Sequence, residues 1–263
     1  MSDLILTQQN GSVLEIIFNR PDKRNAINRE LYLQFDAAVA TANRTPDLRA
    51  VIIRGEGKVF SAGIDVTSFM GMADHYGPQW QQRMRRITDD FQGVLTRLER
   101  LELPTIALLH GYCVGLAMEL ALACDIRIAA TGTQMGLPET RLGMIPDVGG
   151  TTRLMRLVGP ARAKELIFTG KQIDVSLAEQ WGIVNYVVPA EELMSKAEEL
   201  IGEISQAAPL AVGMAKRVID GLTDIDRGLM LEGWAQSQLF QTEDFMEGVQ
   251  SFMMRKPPQF KGK

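Results

Sequence analysis

The stretch from Ile106 to Cys124, IALLHGYCVGLAMELALAC, limits what this chain can fold into more than any other segment. It is 19 residues long, and its only strongly polar side chains are His110 and Glu119. An apolar run of that length raises the question of a membrane span. Glu119 near its C-terminal end, His110 and the glycines argue against one. With Thr105 before it, the run divides instead into a buried strand, Thr105–Leu109, a glycine turn, HGYCVG, and a helix, Leu116–Ala123. Glu119 then lies inside a buried helix, where a lone carboxylate is costly unless it is paired, hydrogen-bonded or protonated. The helix needs no glutamate to pack, so either a structural ion pair, with Arg141 or Arg153, or chemistry accounts for it. Glu139 follows twenty residues later in the loop-like LPETRLGMIPDVGG. Two carboxylates beside glycine-rich turns point to acid/base chemistry.

The strand–turn–helix pattern occurs more than once. Ala50–Arg54 (AVIIR) reads as a short buried strand running into GEGKVFSAGID, with glycines at 55, 57 and 63. Upstream, Leu4–Thr7 and Val13–Phe18 flank Asn10-Gly11, a hairpin signal. Asn28–Asn43 carries helical spacing through Leu31, Phe35, Ala38, Val39 and Ala42. Asp125–Ala129 and Val184–Val188 read as further strands, and Arg153–Val158 and Ala161–Thr169 as helices. The last third changes character. Glu191–Ser205, Leu210–Leu222, Gly228–Phe240 and Glu243–Met254 all read as helices, rich in apolar side chains such as Met230, Trp234, Phe240, Phe245, Met246, Phe252, Met253 and Met254. A helical appendage this apolar buries a face against the core or another subunit.

Composition narrows the function. The chain has 263 residues, is 46% hydrophobic and 23% charged, and carries a net charge of −4. That is a folded globular composition whose acidic balance argues against general nucleic-acid or anionic-membrane binding. Two cysteines, Cys113 and Cys124, lie in the apolar run and read as buried thiols in a reducing, cytoplasmic setting. Two histidines and two cysteines, scattered, form no metal-ligand pattern, and His75 and His110 are assigned to structure. The N-terminus, MSDLILTQQN, has no basic region followed by a long apolar one, so no secretory signal is expected.

A glycine turn that leads into a helix leaves backbone N–H groups without helical partners, and these favour negative charge. Gly115-Leu116 sits at such a point, and Gly63-Ile64 at the equivalent point of the earlier unit. If the two strands are neighbours, the N–H groups of Ile64 and Leu116 can converge on one carbonyl oxygen. Glu119, one helical turn beyond Leu116, then points back toward that hole. The alternative is that both glycines merely serve tight turns.

These residues carry a resemblance over nearly the whole chain. RPDKRNAIN, FSAGID, HGYCVGLAMELALACDIR, LPETRLGMIPDVGGTTRL and FTGKQIDVSLAEQWGIVNYVV match, in order and approximate spacing, the enoyl-CoA hydratase/isomerase (crotonase) family. The resemblance implies an α/β fold: a spiral of repeated ββα units holding the active site over residues 1–200. It also implies a C-terminal helical region, residues 201–263, that builds homotrimers or homohexamers. It implies an acyl-CoA thioester substrate and no metal or redox cofactor, coenzyme A being part of the substrate. The family's oxyanion donors fall on the N–H groups of Ile64 and Leu116, and its two hydratase glutamates on Glu119 and Glu139. The binding of substrate and CoA falls on Arg24, Asn25, Ala26, Ala62, Gly63, Ile64, Asp65 and Gly115. From a neighbouring subunit it adds Phe252 and Arg255. Asp65 reads, on its residues alone, as a cap for the segment that follows.

The chain also departs from the family pattern. The usual triple glycine of the second turn is Gly115-Leu116-Ala117 here. Asp147 stands in PDVGG, where well-known hydratases have a small residue; dienoyl-CoA isomerases and aroyl-CoA dehalogenases carry a functional Asp there, as do some hydratase-like members. The segment between Asp65 and Pro104 is longer than in short-form hydratases. The resemblance therefore implies hydration of a trans-2-enoyl-CoA by Glu119 and Glu139, or double-bond movement in a dienoyl-CoA by Glu139 and Asp147. A non-catalytic acyl-CoA-binding relative is a third possibility, disfavoured by the intact glutamate pair. The variable segment Val66–Arg100 and the C-terminal helices are expected to shape the acyl pocket.

Overall fold

Alternation of apolar residues along β-strands decides how the layers stack. In strand β3 (Ala50–Gly55), Val51 and Ile53 face one core, while Ala50 and Ile52 face another. The strand is therefore buried on both faces, as a central strand of a mostly parallel sheet should be. The computed structural model describes residues 3–207, 209–221, 229, 233, 236–256 and 258. Its larger sheet has six strands in the order β1-β2-β3-β4-β6-β9, with β1 (Ile5–Asn10), β2 (Val13–Phe18), β4 (Thr105–Leu109), β6 (Ile126–Ala130) and β9 (Tyr186–Val188). Only the β1–β2 hairpin is antiparallel. A smaller sheet joins β5 (Tyr112–Val114), β7 (Gln134–Gly136) and β8 (Gln172–Asp174).

The repeat expected from the sequence is a step from one sheet to the other. From β4 the chain passes to β5 and then into helix α4 (Leu116–Leu122); from β6 it passes to β7. After β3 the same step brings Ser61 beside Cys113 in an isolated parallel bridge. Helix α1 (Arg29–Ala42) packs Leu31, Tyr32, Phe35, Ala38, Val39 and Ala42 into the main core. The side chain of Asn28 caps it by accepting from the Leu31 N–H at 2.9 Å. Helix α7 (Leu193–Ile204) covers the other face of the large sheet with Ala197, Leu200 and Ile201. The domain boundary expected between residues 200 and 201 thus falls inside a helix.

Several expectations need correction. The first strand runs on to Asn10, because backbone pairing with β2 continues past its last buried residue. The two helices expected at Arg153–Val158 and Ala161–Thr169 are halves of α5 (Gly150–Thr169), which breaks at Gly159 (φ 74°, ψ 169°) before Pro160. The segment 66–100 contains helices α2 (Met72–Tyr76) and α3 (Met84–Glu99). Their Met72, Met84 and Ile87 join Trp80, Met144, Phe240, Phe245 and Val249 in a third apolar cluster. Between β8 and β9 lies α6 (Val175–Gln180). Farther on, α8 (Pro209–Gly221) and α9 (Glu243–Met254) match the expected helices, Leu222 lying outside the described residues. Of the expected helix Gly228–Phe240, residues 229, 233 and 236–239 are helical, and Met230 and Trp234 lie outside the described residues. No helix among the described residues is long and apolar enough to cross a membrane.

Asn25 locks the first loop of the fold. It is fully buried at φ 53°, a left-handed conformation that Asn tolerates better than most side chains. Its amide donates to the carbonyls of Glu56, Val59 and Phe60 at 2.8–3.1 Å and accepts from the Arg20 N–H at 2.9 Å. That side chain ties the loop to the turn after β3 and is fully committed there. Substituting Asn25→Ala leaves three carbonyls without this donor and strains φ. It should lower unfolding stability by about 2–4 kcal/mol, read as a lower midpoint in urea at unchanged m. A midpoint equal to wild type would overturn this reading of the loop.

Candidate active site

Two glycine turns meet at the centre of the molecule. Residues 24–27 run alongside 62–65: Ala62 N–H donates to the Arg24 carbonyl, Ile27 N–H to that of Gly63 and Asp65 N–H to that of Ile27, at 2.8–3.0 Å. Ser61 N–H donates to the Tyr112 carbonyl at 3.0 Å, drawing this run against β5. Gly63 (φ 83°) approaches so closely that a Cβ there would lie 2.4 Å from the Val114 carbonyl oxygen. Only glycine fits the position. The amides around the junction are committed. Gly63 N–H donates to Ser61 Oγ, Gly115 N–H to the Gly136 carbonyl and Glu119 N–H to that of Gly115. The N–H groups of Ile64 and Leu116 find no acceptor among the described residues.

Glu119 is 2% exposed, on a helix whose every residue is buried. Its Oε1 accepts from the Val148 N–H at 2.8 Å and from the Gly150 N–H at 2.9 Å. Gly150 is the first residue of α5, so the carboxylate also meets the positive end of that helix. This resolves the puzzle of a glutamate in an apolar run. The arginines considered as its partners are engaged elsewhere: Arg141 donates to the Thr169 carbonyl, and Arg153 pairs with Glu99 at 3.0 Å and donates to the Val148 carbonyl. A Cβ on Gly150 would lie 2.5 Å from Cβ of Pro146 and 2.9 Å from Glu119 Oε1, so the glycine is what lets this loop close on the carboxylate.

Glu139 begins a short 3-10 turn, Glu139–Leu142, and is 8% exposed. Its Oε2 is buried without a hydrogen-bond partner. Its Oε1 faces the second glycine turn, 3.0 Å from where a Cβ on Gly115 would stand. Burial pushes the Glu139 carboxyl up to about 8; a backbone hydrogen bond opposes that shift and the nearby charge of Asp147 adds to it. Asp147 is gripped from α3. Thr88 Oγ1 donates to its carboxylate at 2.8 Å, and Gln92, one turn later, donates through Nε2 to its carbonyl. The sequence reading missed Thr88 and Gln92. Their signal was two polar residues at i and i+4 on the apolar face of an otherwise amphipathic helix.

A single cavity of about 440 Å³ gathers Ile64, Leu116, Glu119, Glu139 and Asp147. Further walls come from Ile27 and the start of α1, from Thr67, Ser68 and Phe69, from α2 and α3, and from Met144, Ile145, Val148, Gln236 and Phe240. Gln236, Phe240 and the α3 residues Met84 and Ile87 were not singled out as site residues from sequence. His75, assigned to structure, lines this cavity as well, while His110 bonds the Gly57 carbonyl as a structural residue would. Arg24, Ala26, Ala62, Gly63 and Gly115 form the backbone frame beside the cavity rather than its described lining. Asp65 caps the 3-10 segment Val66–Gly71 through the Thr67 N–H, as its residues alone suggest, and pairs with Arg20 at 2.7 Å. Phe252 and Arg255 are exposed at the end of α9, away from the cavity of their own chain. Among the described residues no group of three or more His, Cys, Asp or Glu side chains is arranged to hold a metal ion.

Known proteins resemble the chain in both sequence and fold. The pattern that defines the enoyl-CoA hydratase/isomerase family matches residues 8–263. The chain is 37% identical over 255 residues to a short-chain-enoyl-CoA hydratase of Clostridium acetobutylicum, covering 96% of this chain and 95% of that protein. It is 35% identical over 259 residues to a crotonyl-CoA hydratase of Syntrophomonas wolfei, covering 97% of each. The crystal structure of an enoyl-CoA hydratase from Mycobacterium avium subsp. paratuberculosis superposes with a TM-score of 0.86 at 25% identity, over 98% of both chains. The fold is therefore the crotonase fold, and the chain is an enzyme that belongs to the enoyl-CoA hydratase/isomerase family.

Proposed function

We propose that this enzyme adds water across the 2,3 double bond of a trans-2-enoyl-CoA. The observation that carries the reading is the shared cavity: two buried carboxylates, Glu119 and Glu139, line it together with the two residues whose N–H groups lack acceptors. Relatives named as hydratases support it. The thioester carbonyl accepts hydrogen bonds from the N–H groups of Ile64 and Leu116, which lowers the barrier to the enolate; one such donor contributes about 3–4 kcal/mol in characterised enzymes. Glu119, seated on backbone N–H groups at the start of α5, takes a proton from water as its oxygen bonds to the β-carbon. Glu139, protonated at neutral pH, then gives its proton to the α-carbon. The proton left on Glu119 restores Glu139 before the next turnover. Coenzyme A enters as part of the substrate, along the backbone frame of Arg24, Ala26 and Ala62, and no further cofactor is needed. The exposed Met246, Phe252, Met253 and Met254 of α9 form a face for a neighbouring copy in a trimer or hexamer, whose Phe252 and Arg255 complete the CoA site.

A second reading rests on Asp147, which lines the same cavity with Glu139 and is held there by Thr88. In it these two carboxylates relocate the double bonds of a dienoyl-CoA without net water.

Four outcomes test these readings. Glu119→Gln should still fold and lose hydration by about a hundredfold or more, followed as loss of the conjugated-thioester absorbance; a rate equal to wild type rejects the assignment. Hydration should fall as pH rises through about 8, where Glu139 loses its proton. Asp147→Asn should move that falling limb to lower pH, because the charge opposing ionisation of Glu139 is gone. If Asp147→Asn instead abolishes dienoyl-CoA isomerisation and spares hydration, the second reading gains. In sedimentation, the wild-type protein should run as a trimer or hexamer, and Met253→Lys with Met254→Lys should shift it toward monomer.

A further inference from the structure

We infer that this cavity selects a bulky apolar acyl group, larger than crotonyl, and that Phe240 forms its closed end. The inference rests on the preceding reading, with the thioester carbonyl between Ile64 and Leu116. From that junction the cavity reaches the start of α1 at Ile27–Glu30 as well as α2 and α3. Its described lining takes in Glu119, Glu139 and Asp147, Glu30 at the start of α1, and the apolar side chains of α2 and α3, but none of Arg24, Ala26, Ala62 or Gly115, on the side assigned to CoA. Its volume of about 440 Å³ therefore serves the acyl group, and it lies in the range that holds drug-sized molecules rather than a four-carbon chain.

The walls suit hydrocarbon. Met72, Met84, Ile87 and Met144 are buried and line the space, and methionine side chains adapt to irregular apolar ligands. Phe240 stacks on Phe245 with centroids 4.1 Å apart and meets Trp80 and Phe69 edge-on at 5.2 and 5.6 Å. A ring held on three sides makes a firm stop. A crotonyl group would leave this apolar volume without contacts, and each methylene that fills such a pocket is worth about tenfold or more in kcat/KM.

The test compares crotonyl-CoA, trans-2-octenoyl-CoA and cinnamoyl-CoA as hydration substrates of the full chain. The octenoyl or the cinnamoyl thioester should exceed crotonyl in kcat/KM by at least about tenfold, and the better of the two tells whether a tail or a ring fits. A kcat/KM for crotonyl equal to or above both overturns the inference. Phe240→Ala should raise trans-2-dodecenoyl-CoA relative to octenoyl; an unchanged length profile overturns the role of Phe240. Should that variant not fold, Ile87→Phe, which fills the cavity from α3, should lower the octenoyl-to-crotonyl ratio, and an unchanged ratio counts against the cavity. If no enoyl-CoA is hydrated, the hydratase reading fails while the cavity is still tested by calorimetry. Octanoyl-CoA binding at least about tenfold more tightly than butyryl-CoA supports it, and equal affinities overturn it.

Discussion

The burial of one carboxylate organises the centre of this molecule. Glu119 sits on a helix with no exposed residue, and a buried carboxylate is tolerated only where donors reach it. Those donors are main-chain N–H groups of Val148 and Gly150, so the loop Pro146–Gly150 must come to the helix rather than the reverse. That requirement explains the glycines in the loop, the start of α5 at Gly150, and the grip of Thr88 and Gln92 on Asp147 in the same loop. Arg153, one turn into α5, closes the arrangement by donating back to the Val148 carbonyl while pairing with Glu99 of α3. A polar group placed against the hydrophobic effect thus fixes the mutual position of α3, α4 and α5.

The two glutamates occupy contrasting environments although both are buried. Glu119 is solvated by the backbone. Glu139 has one oxygen with no partner and a like charge nearby, so its neutral form is favoured. A carboxyl held neutral beside one that accepts from backbone N–H groups, in one cavity, suits a reaction that both removes and delivers a proton. Because Asp147 is tied to α3, the segment 66–100 influences this balance as well as the shape of the pocket.

Much of this was legible in the sequence. The β-strands of the large sheet, the two glycine turns and the carboxylates at 119 and 139 follow from periodicity, turn chemistry and the oddity of a charge in an apolar run, whereas Asp147 came to notice only through the family resemblance. The small sheet was not legible, because β5, β7 and β8 have three residues each and so show no alternation. The lock formed by Asn25 was not legible, because motif position carries no record of burial. Its role depends on three carbonyls more than thirty residues away. Thr88 and Gln92 escaped notice for a similar reason: a polar residue on a helix reads as solvated until the loop that covers it is known.

The apolar cluster behind the cavity joins Met72, Trp80, Met84 and Ile87 to Phe240, Phe245 and Val249, residues separated by more than half the chain. During synthesis the first group leaves the ribosome long before the second exists, so a strip of large hydrophobic side chains waits uncovered while the rest of the spiral is already able to fold. Closing it is a contact of high sequence separation and hence slow. The nascent chain therefore carries this strip uncovered until Phe240, Phe245 and Val249 have been made, and the cavity gains its Phe240 wall only then.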